Sequence, residues 1–186
     1  MPIRAHAPAF AFQSMKNKPL TPEVRHDSIR GWFAFELYNQ MAQNERIWVL
    51  AGDLGYRMMD RIRADFPERF TNCGAAEQAM MGIAVGLAQE GKIPFVYSIT
   101  PFLLFRPFET IRNYVNHEKA PVRLVGSGTG HDYAHDGYSH WPEEEHDLMK
   151  MLTNIEPLWP QSKDEIPSFV ERMVKEDKPW YLNLRR

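Results

Sequence analysis

Three stretches of the chain gather side chains able to hold a proton, stack on a flat ring or bind a hydroxyl. The first is Gly-Ala-Ala-Glu-Gln over residues 74–78, which sets a single carboxyl, Glu77, at the mouth of an apolar run. A carboxyl in that place can donate or accept a proton, or it can complement the positive end of a helix. The second is Thr-Pro-Phe-Leu-Leu-Phe-Arg-Pro-Phe over residues 100–108, where Phe102, Phe105 and Phe108 recur at intervals of three. Rings so spaced build either a core or a wall for a flat heterocycle. The third, Gly126 to Met149, carries His131, His135, His140 and His146 among glycines and acids. Imidazole and carboxylate together suit hydroxyl recognition near neutral pH or a divalent metal. Their spacing does not match a compact metal motif such as H-E-x-x-H, so no metal ligand is assigned. Cys73 has no histidine beside it in sequence to activate a thiolate and reads as a small buried residue.

The elements that position these groups follow from hydrophobic period. Between Glu23 and Asn44, Ile29, Trp32, Phe33, Leu37 and Met41 recur at helical spacing, and the apolar run Ile47 to Ala51 after them reads as a buried strand ending at Gly52. The cycle continues with helices near Met58 to Phe66 and from Ala75 to Gln89, and a strand from Pro94 to Ile99. A helix from about Arg106 to Glu118 and a strand at Val122 to Gly126 come next. After the glycine- and histidine-rich loop come a helix from Glu143 to Leu152, a strand near Glu156 to Trp159, a helix from Lys163 to Lys175 and a strand from Trp180 to Leu184. Alternation of this kind predicts an α/β fold, a mainly parallel sheet covered by helices on both faces. Ligands of such sheets collect at the carboxyl ends of the strands, and Gly52 to Gly55, Thr100 to Phe108 and Gly126 to His140 each begin just after a strand.

Composition narrows the function. Basic and acidic residues nearly cancel, 22 against 24, so no global field favours nucleic acid or an anionic membrane, and a small molecule or a protein is the expected partner. The most apolar stretch, Ala79 to Ala88, is about half the ~20 residues a spanning helix needs. One cysteine allows no internal disulfide, which fits a reducing, cytoplasmic setting. Residues 1–20, with prolines at 2, 8 and 19, read as a flexible or partner-contacting arm, and 21–186 as one domain.

The segment Arg69 to Gly91, RFTNCGAAEQAMMGIAVGLAQEG, resembles the helix-opening motif of transketolases and deoxyxylulose-phosphate synthases. The aromatic segment from Thr100 to Arg112 is similar to that family's aminopyrimidine wall, with Phe108 where tyrosine is common. The run Asp136 to Pro142 resembles its Asp-Gly-x-(Ser/Thr)-His-x-Pro. The resemblance implies the pyrimidine-binding (Pyr) domain of a thiamine diphosphate enzyme, with Glu77 as the carboxyl that hydrogen-bonds the pyrimidine N1′ and so activates the cofactor. It makes Phe102, Phe105, Phe108 and strand-end Asp53 cofactor contacts, and His140 a contact to the donor's hydroxyls. It also offers weaker substrate contacts at Arg25, Ser28 and Arg186, the arginines facing a phosphate. Gly82 and Gly86, four apart on the same helix, allow close approach of a second chain or ordinary core packing.

The resemblance implies a split enzyme. No Gly-Asp-Gly followed by asparagine is present to hold magnesium and a diphosphate, and the chain ends where a full transketolase continues. The expectation is a subunit that transfers a two-carbon ketol unit from a ketose together with a separate diphosphate-binding chain, two copies of each. The alternatives are a subunit of a carboligase or 2-oxoacid decarboxylating enzyme, or a noncatalytic interaction subunit of the same fold.

Overall fold

A computed structural model describes residues 19–186. Most of the expected arm therefore lies outside the described residues. Of its last two, Leu20 donates its N–H to Asn39 Oδ1 at 2.6 Å and packs on the core.

The chain runs α1 (Ile29–Gln43), β1 (Ile47–Ala51), α2 (Asp60–Asp65), β2 (Phe70–Asn72), α3 (Glu77–Gln89), β3 (Ile93–Ile99), α4 (Thr100–Phe105) and α5 (Phe108–Thr110). The last continues as a π-helical stretch over Ile111–His117 before β4 (Arg123–Ser127), α6 (Glu145–Met151), β5 (Glu156–Leu158), α7 (Ile166–Lys175) and β6 (Trp180–Leu184). All pairings are parallel, and the six strands lie in the order β2-β1-β3-β4-β6-β5.

Alternation along each strand divides the interior in two. Ile47 and Val49 of β1, Phe95 and Tyr97 of β3, and Trp180, Leu182 and Leu184 of β6 face α1, α2 and α7. Leu50, Val96, Leu124 and Tyr181 face α3, α4 and α6. Helices thus cover both faces, as the alternating pattern predicts. At the opposite end from the site, the buried guanidinium of Arg123 donates from Nε to Met173 O (2.8 Å) and from Nη2 to Glu176 O (3.0 Å). Both carbonyls lie at the C-terminal end of α7, where the helix no longer supplies all the donors. Burial lowers the Arg123 pKa to about 10, so it stays charged at neutral pH.

Four details differ from the expected elements. The first helix begins at Ile29 rather than Glu23, because extended Ser28 accepts the Gly31 N–H at 3.0 Å and caps it; Pro22–Val24 form a separate 3₁₀ turn. The strand β2 is short, polar and at the sheet edge, with Thr71 and Asn72 exposed. The helix expected from Arg106 is interrupted by Pro107, which has no N–H to continue α4. The aromatic stretch itself forms α4, with Pro101 in its first turn, where a missing N–H costs nothing.

Candidate active site

After β1 the chain goes to β2 on one side, and β3 then returns on the other. The connections leave the carboxyl ends of β1 and β3 in opposite directions, which opens a crevice there. Glu77, the first residue of α3, fills it and is only 2 % exposed. Its recorded side-chain partners lie across the crevice. Ser98, near the end of β3, donates its hydroxyl to Oε1 at 3.3 Å, and Arg106 Nη1 donates to Oε2 at 2.8 Å. Both carboxyl oxygens are thus engaged by neighbours, which argues against a carboxyl that only complements its own helix terminus.

Gly52 closes the floor. A Cβ placed there would lie 2.8 Å from Ser98 Oγ and 3.3 Å from Glu77 Oε1, so only hydrogen leaves room beside the carboxyl. Above it, the Arg106 guanidinium lies 3.7 Å from the centroid of the half-buried Phe102 ring. His140 meets the same ring edge-on, at 4.8 Å between centroids. Glu77, Arg106, Phe102 and His140 form one continuous line of contacts.

The histidine-bearing loop is anchored from below. Gly128 adopts φ +93, a conformation side chains rarely take, and a Cβ placed there would lie 2.5 Å from the Tyr133 ring. The Tyr133 hydroxyl pairs with Ser127 Oγ at 2.9 Å, and Thr100 Oγ1 donates to Gly128 O at 2.8 Å. Beneath them, Glu145 Oε1 accepts from the Tyr181 hydroxyl and the Asn183 amide, pinning α6 to β6. Burial raises the Glu145 pKa above the usual carboxylate value and pushes the Tyr181 hydroxyl well up.

The other expected site residues scatter. Phe105 is 40 % exposed, and Phe108 packs, half-buried, on the core beneath α3. The break at Pro107 takes Phe108 off the helix that carries Phe102 and Phe105. Asp53 adopts φ 49, gives its N–H to Asn72 Oδ1 (3.1 Å) and accepts the Tyr56 hydroxyl (2.9 Å), so it fixes its own turn. Arg25 stacks on Trp32 at 3.4 Å and lies 4.0 Å from Glu36. With Ser28, Arg30 and Arg57 it lines a cavity of about 660 Å³ on the α1 face of the sheet, which does not include Glu77. Arg186 lies over Tyr133, and its N–H donates to Asp132 Oδ2 at 2.8 Å.

His131 pairs with exposed Glu143, His135 with Asp136, and His146 packs on Trp159. Among the described residues no group of three or more His, Cys, Asp or Glu side chains is arranged to hold a metal. Burial raises the Cys73 thiol pKa, the opposite of what a nucleophile needs. Three contributors went unread in the sequence: Gly52 as a packing requirement, Ser98 and Arg106. Ser98 stands out only as a hydroxyl inside the apolar run 94–99 and Arg106 only as a cation inside an aromatic one, and neither composition is a motif.

The family model described as transketolase, pyrimidine binding domain, matches residues 28–186. The chain belongs to this family. A Methanocaldococcus jannaschii protein assigned as a transketolase C-terminal section is 34% identical over 143 residues, covering 76% of this chain and 45% of its own length. The 6-deoxy-6-sulfo-D-fructose transketolase subunit SqwH of a Clostridium species (strain MSTE9) is 27% identical over 171 residues, covering 91% of this chain and 53% of its own. A solved split-gene transketolase, an inactive beta4 tetramer, superposes with a TM-score of 0.75 at 32% identity, covering 86% of this chain and 52% of that one. The chain thus spans about half the length of these relatives.

The family implies thiamine diphosphate, and the crevice fits its aminopyrimidine. A buried carboxyl faces a space that a glycine keeps open, and an aromatic ring stands beside it. Magnesium finds no comparable cluster among the described residues.

Proposed function

We propose that this chain is the pyrimidine-binding subunit of a split transketolase-like enzyme that transfers a two-carbon ketol unit from a ketose to an aldehyde acceptor. The observation that carries the proposal is the buried Glu77 carboxyl, engaged on both oxygens at the open end of β1 and β3. The names of the relatives, a subunit and a C-terminal section, support a separate partner chain that carries the diphosphate and magnesium ligands. Two copies of each chain, working in the cytoplasm, complete the proposal.

When bound, thiamine diphosphate supplies the carbon nucleophile and electron sink for breaking and making the bond beside a ketose carbonyl. Glu77 holds the proton shared with the pyrimidine N1′, and Ser98 donates to its carboxyl. Phe102 offers a face to the ring, and Asp53, Phe105 and Phe108 complete the cofactor wall once the partner covers them. His140, half-buried against Phe102, hydrogen-bonds the donor's hydroxyls. The cavity holding Arg25 and Ser28 receives the far end of the sugar, and Arg186 lies at the edge of the His140 loop.

Two measurements test this. Titration calorimetry with thiamine diphosphate and magnesium is expected to show tight binding only after the diphosphate-domain chain is added. Submicromolar binding by the isolated chain refutes the split site. In the assembled complex, Glu77→Ala is expected to lower ketol transfer by about 10²–10⁴-fold, the usual worth of positioned acid–base chemistry, with assembly intact. Near-normal turnover refutes the catalytic assignment.

A further inference from the structure

Arg106 belongs to none of the roles assigned above beyond its contact with Glu77, yet among the described residues it is recorded touching both the carboxyl and the aromatic wall. Its guanidinium uses its edge for one and its face for the other. Nη1 reaches Glu77 Oε2 at 2.8 Å, and Cζ lies 3.7 Å from the Phe102 ring centroid. Building on the proposed role of Glu77, we propose that Arg106 is a positioning residue. It fixes the plane of the Glu77 carboxyl relative to the Phe102 ring, so that the proton-holding oxygen and the stacking face meet one flat heterocycle together.

The argument is one of degrees of freedom. Without Arg106 the carboxyl keeps one neutral hydrogen bond, from Ser98 at 3.3 Å, and one such bond does not fix rotation about the last side-chain torsion. A charge-assisted bond at 2.8 Å on the other oxygen does. The guanidinium is planar, so lying on Phe102 also sets the direction in which its N–H groups point. Its setting allows this: Arg106 directly follows α4, which carries Phe102, and its backbone continues the helical conformation at φ −62 and ψ −47. The pair is also unequal. The Glu77 side chain is 1% exposed and that of Arg106 is 43% exposed, so the arginine lies on the solvent side of the buried carboxyl.

A guanidinium that only neutralised a buried charge would have the same contacts but a different signature. A lysine has no plane and no fork, so Arg106→Lys keeps the charge and loses the alignment. The coupling is also specific. If Arg106 acts through Glu77, its removal has nothing left to disturb once the carboxyl can no longer hold the shared proton.

The experiment uses the complex assembled with its diphosphate-domain chain, in four forms: wild type, Arg106→Met, Glu77→Gln and the double variant, with Arg106→Lys alongside. Thiamine diphosphate affinity is read by titration calorimetry in magnesium, and kcat by ketol transfer. Thermal unfolding of each variant reports on folding. Arg106→Met is expected to weaken thiamine diphosphate binding about tenfold and to lower kcat by about 10–100-fold, the scale of a misplaced reacting group. Arg106→Lys should recover part of the binding and little of kcat. In the Glu77→Gln background the same Arg106→Met change should alter both readouts by less than about twofold. Unchanged binding and kcat in Arg106→Met, complete rescue by lysine, or an undiminished effect in the Glu77→Gln background each overturns the inference. If Arg106→Met does not fold, Arg106→Lys and its double with Glu77→Gln decide the matter by the same readings. Glu77→Gln with wild-type kcat would instead overturn the reading of Glu77 itself.

Discussion

Gly52→Ala tests the geometry of the crevice without removing any functional group. The added methyl would lie 2.8 Å from Ser98 Oγ, 3.1 Å from Ser98 Cβ and 3.3 Å from Glu77 Oε1. Gly52 itself is buried, and its N–H is held by Tyr97 O at 2.8 Å, so the backbone cannot easily retreat. Two responses remain. If Ser98 keeps its rotamer, the crowding costs about 1–3 kcal/mol, as overpacking generally does. If the hydroxyl rotates away, Glu77 Oε1 loses its donor inside a site only 2 % exposed, and an unmet buried acceptor costs a similar ~1–3 kcal/mol. Both routes lead to about 2 kcal/mol, or a fall of roughly 4–8 °C in Tm for a domain of this size. Thermal unfolding of the isolated chain measures it. Ser98→Ala in the same chain removes the closest oxygen, so Gly52→Ala should cost less in that background than in wild type. Wild-type Tm in Gly52→Ala, or equal costs in the two backgrounds, would refute the packing described for this crevice.

Glu145→Gln should change how stability depends on pH. Burial raises the folded pKa of Glu145 above its unfolded value, so the contribution of the protonated form is complete below about pH 4.5 and is lost as pH rises through the folded value. Glutamine does not titrate, and its carbonyl can still accept from Tyr181 and Asn183. Melts from pH 4.5 to 8 should therefore show Glu145→Gln gaining on wild type as pH rises, and a constant gap would contradict the assignment. Arg69, 7% exposed, donates from Nη1 to Met41 O and Asn44 O, both at 3.1 Å, at the end of α1. Arg69→Met should cost about 2 kcal/mol in urea unfolding, the range for hydrogen bonds to a charged donor; a loss under about 0.5 kcal/mol would count against that anchoring role.

The strands were the most legible part of the fold because a parallel strand buried on both faces has to be an apolar run. Ile47–Ala51 and Trp180–Leu184 stand at the limits that their composition suggests. The strand β2 had no such signal, since an edge strand of three residues with Thr71 and Asn72 turned to solvent shows the core only through Phe70. The helix α4 was hidden for another reason. Thr100 and Pro101 at its start, and Pro107 just beyond its end, punctuate the sequence like a loop, although proline in a first helical turn is harmless.

The site divides along the same line. Glu77 and Phe102 were legible only through the motifs that carry the family resemblance, since a glutamate at a helix start and phenylalanines at that spacing are commonplace alone, and the structure links them through Arg106, which the sequence did not mark. Arg106 carried no periodic or motif signal, for its role depends on a contact with Glu77 across 29 positions of chain. Ser98 and Gly52 depend on the register that sets β1 beside β3, which pairs Ala51 with Tyr97. A motif can therefore name the carboxyl proposed to hold the proton, but the groups that touch it belong to other elements, and only the fold brings them within reach. For this crevice the consequence is specific. A chain that retained Gly-Ala-Ala-Glu-Gln while replacing Gly52, Ser98 and Arg106 would keep the resemblance and lose the alignment, so these three positions, more than the motif, should separate active from inactive versions of this domain.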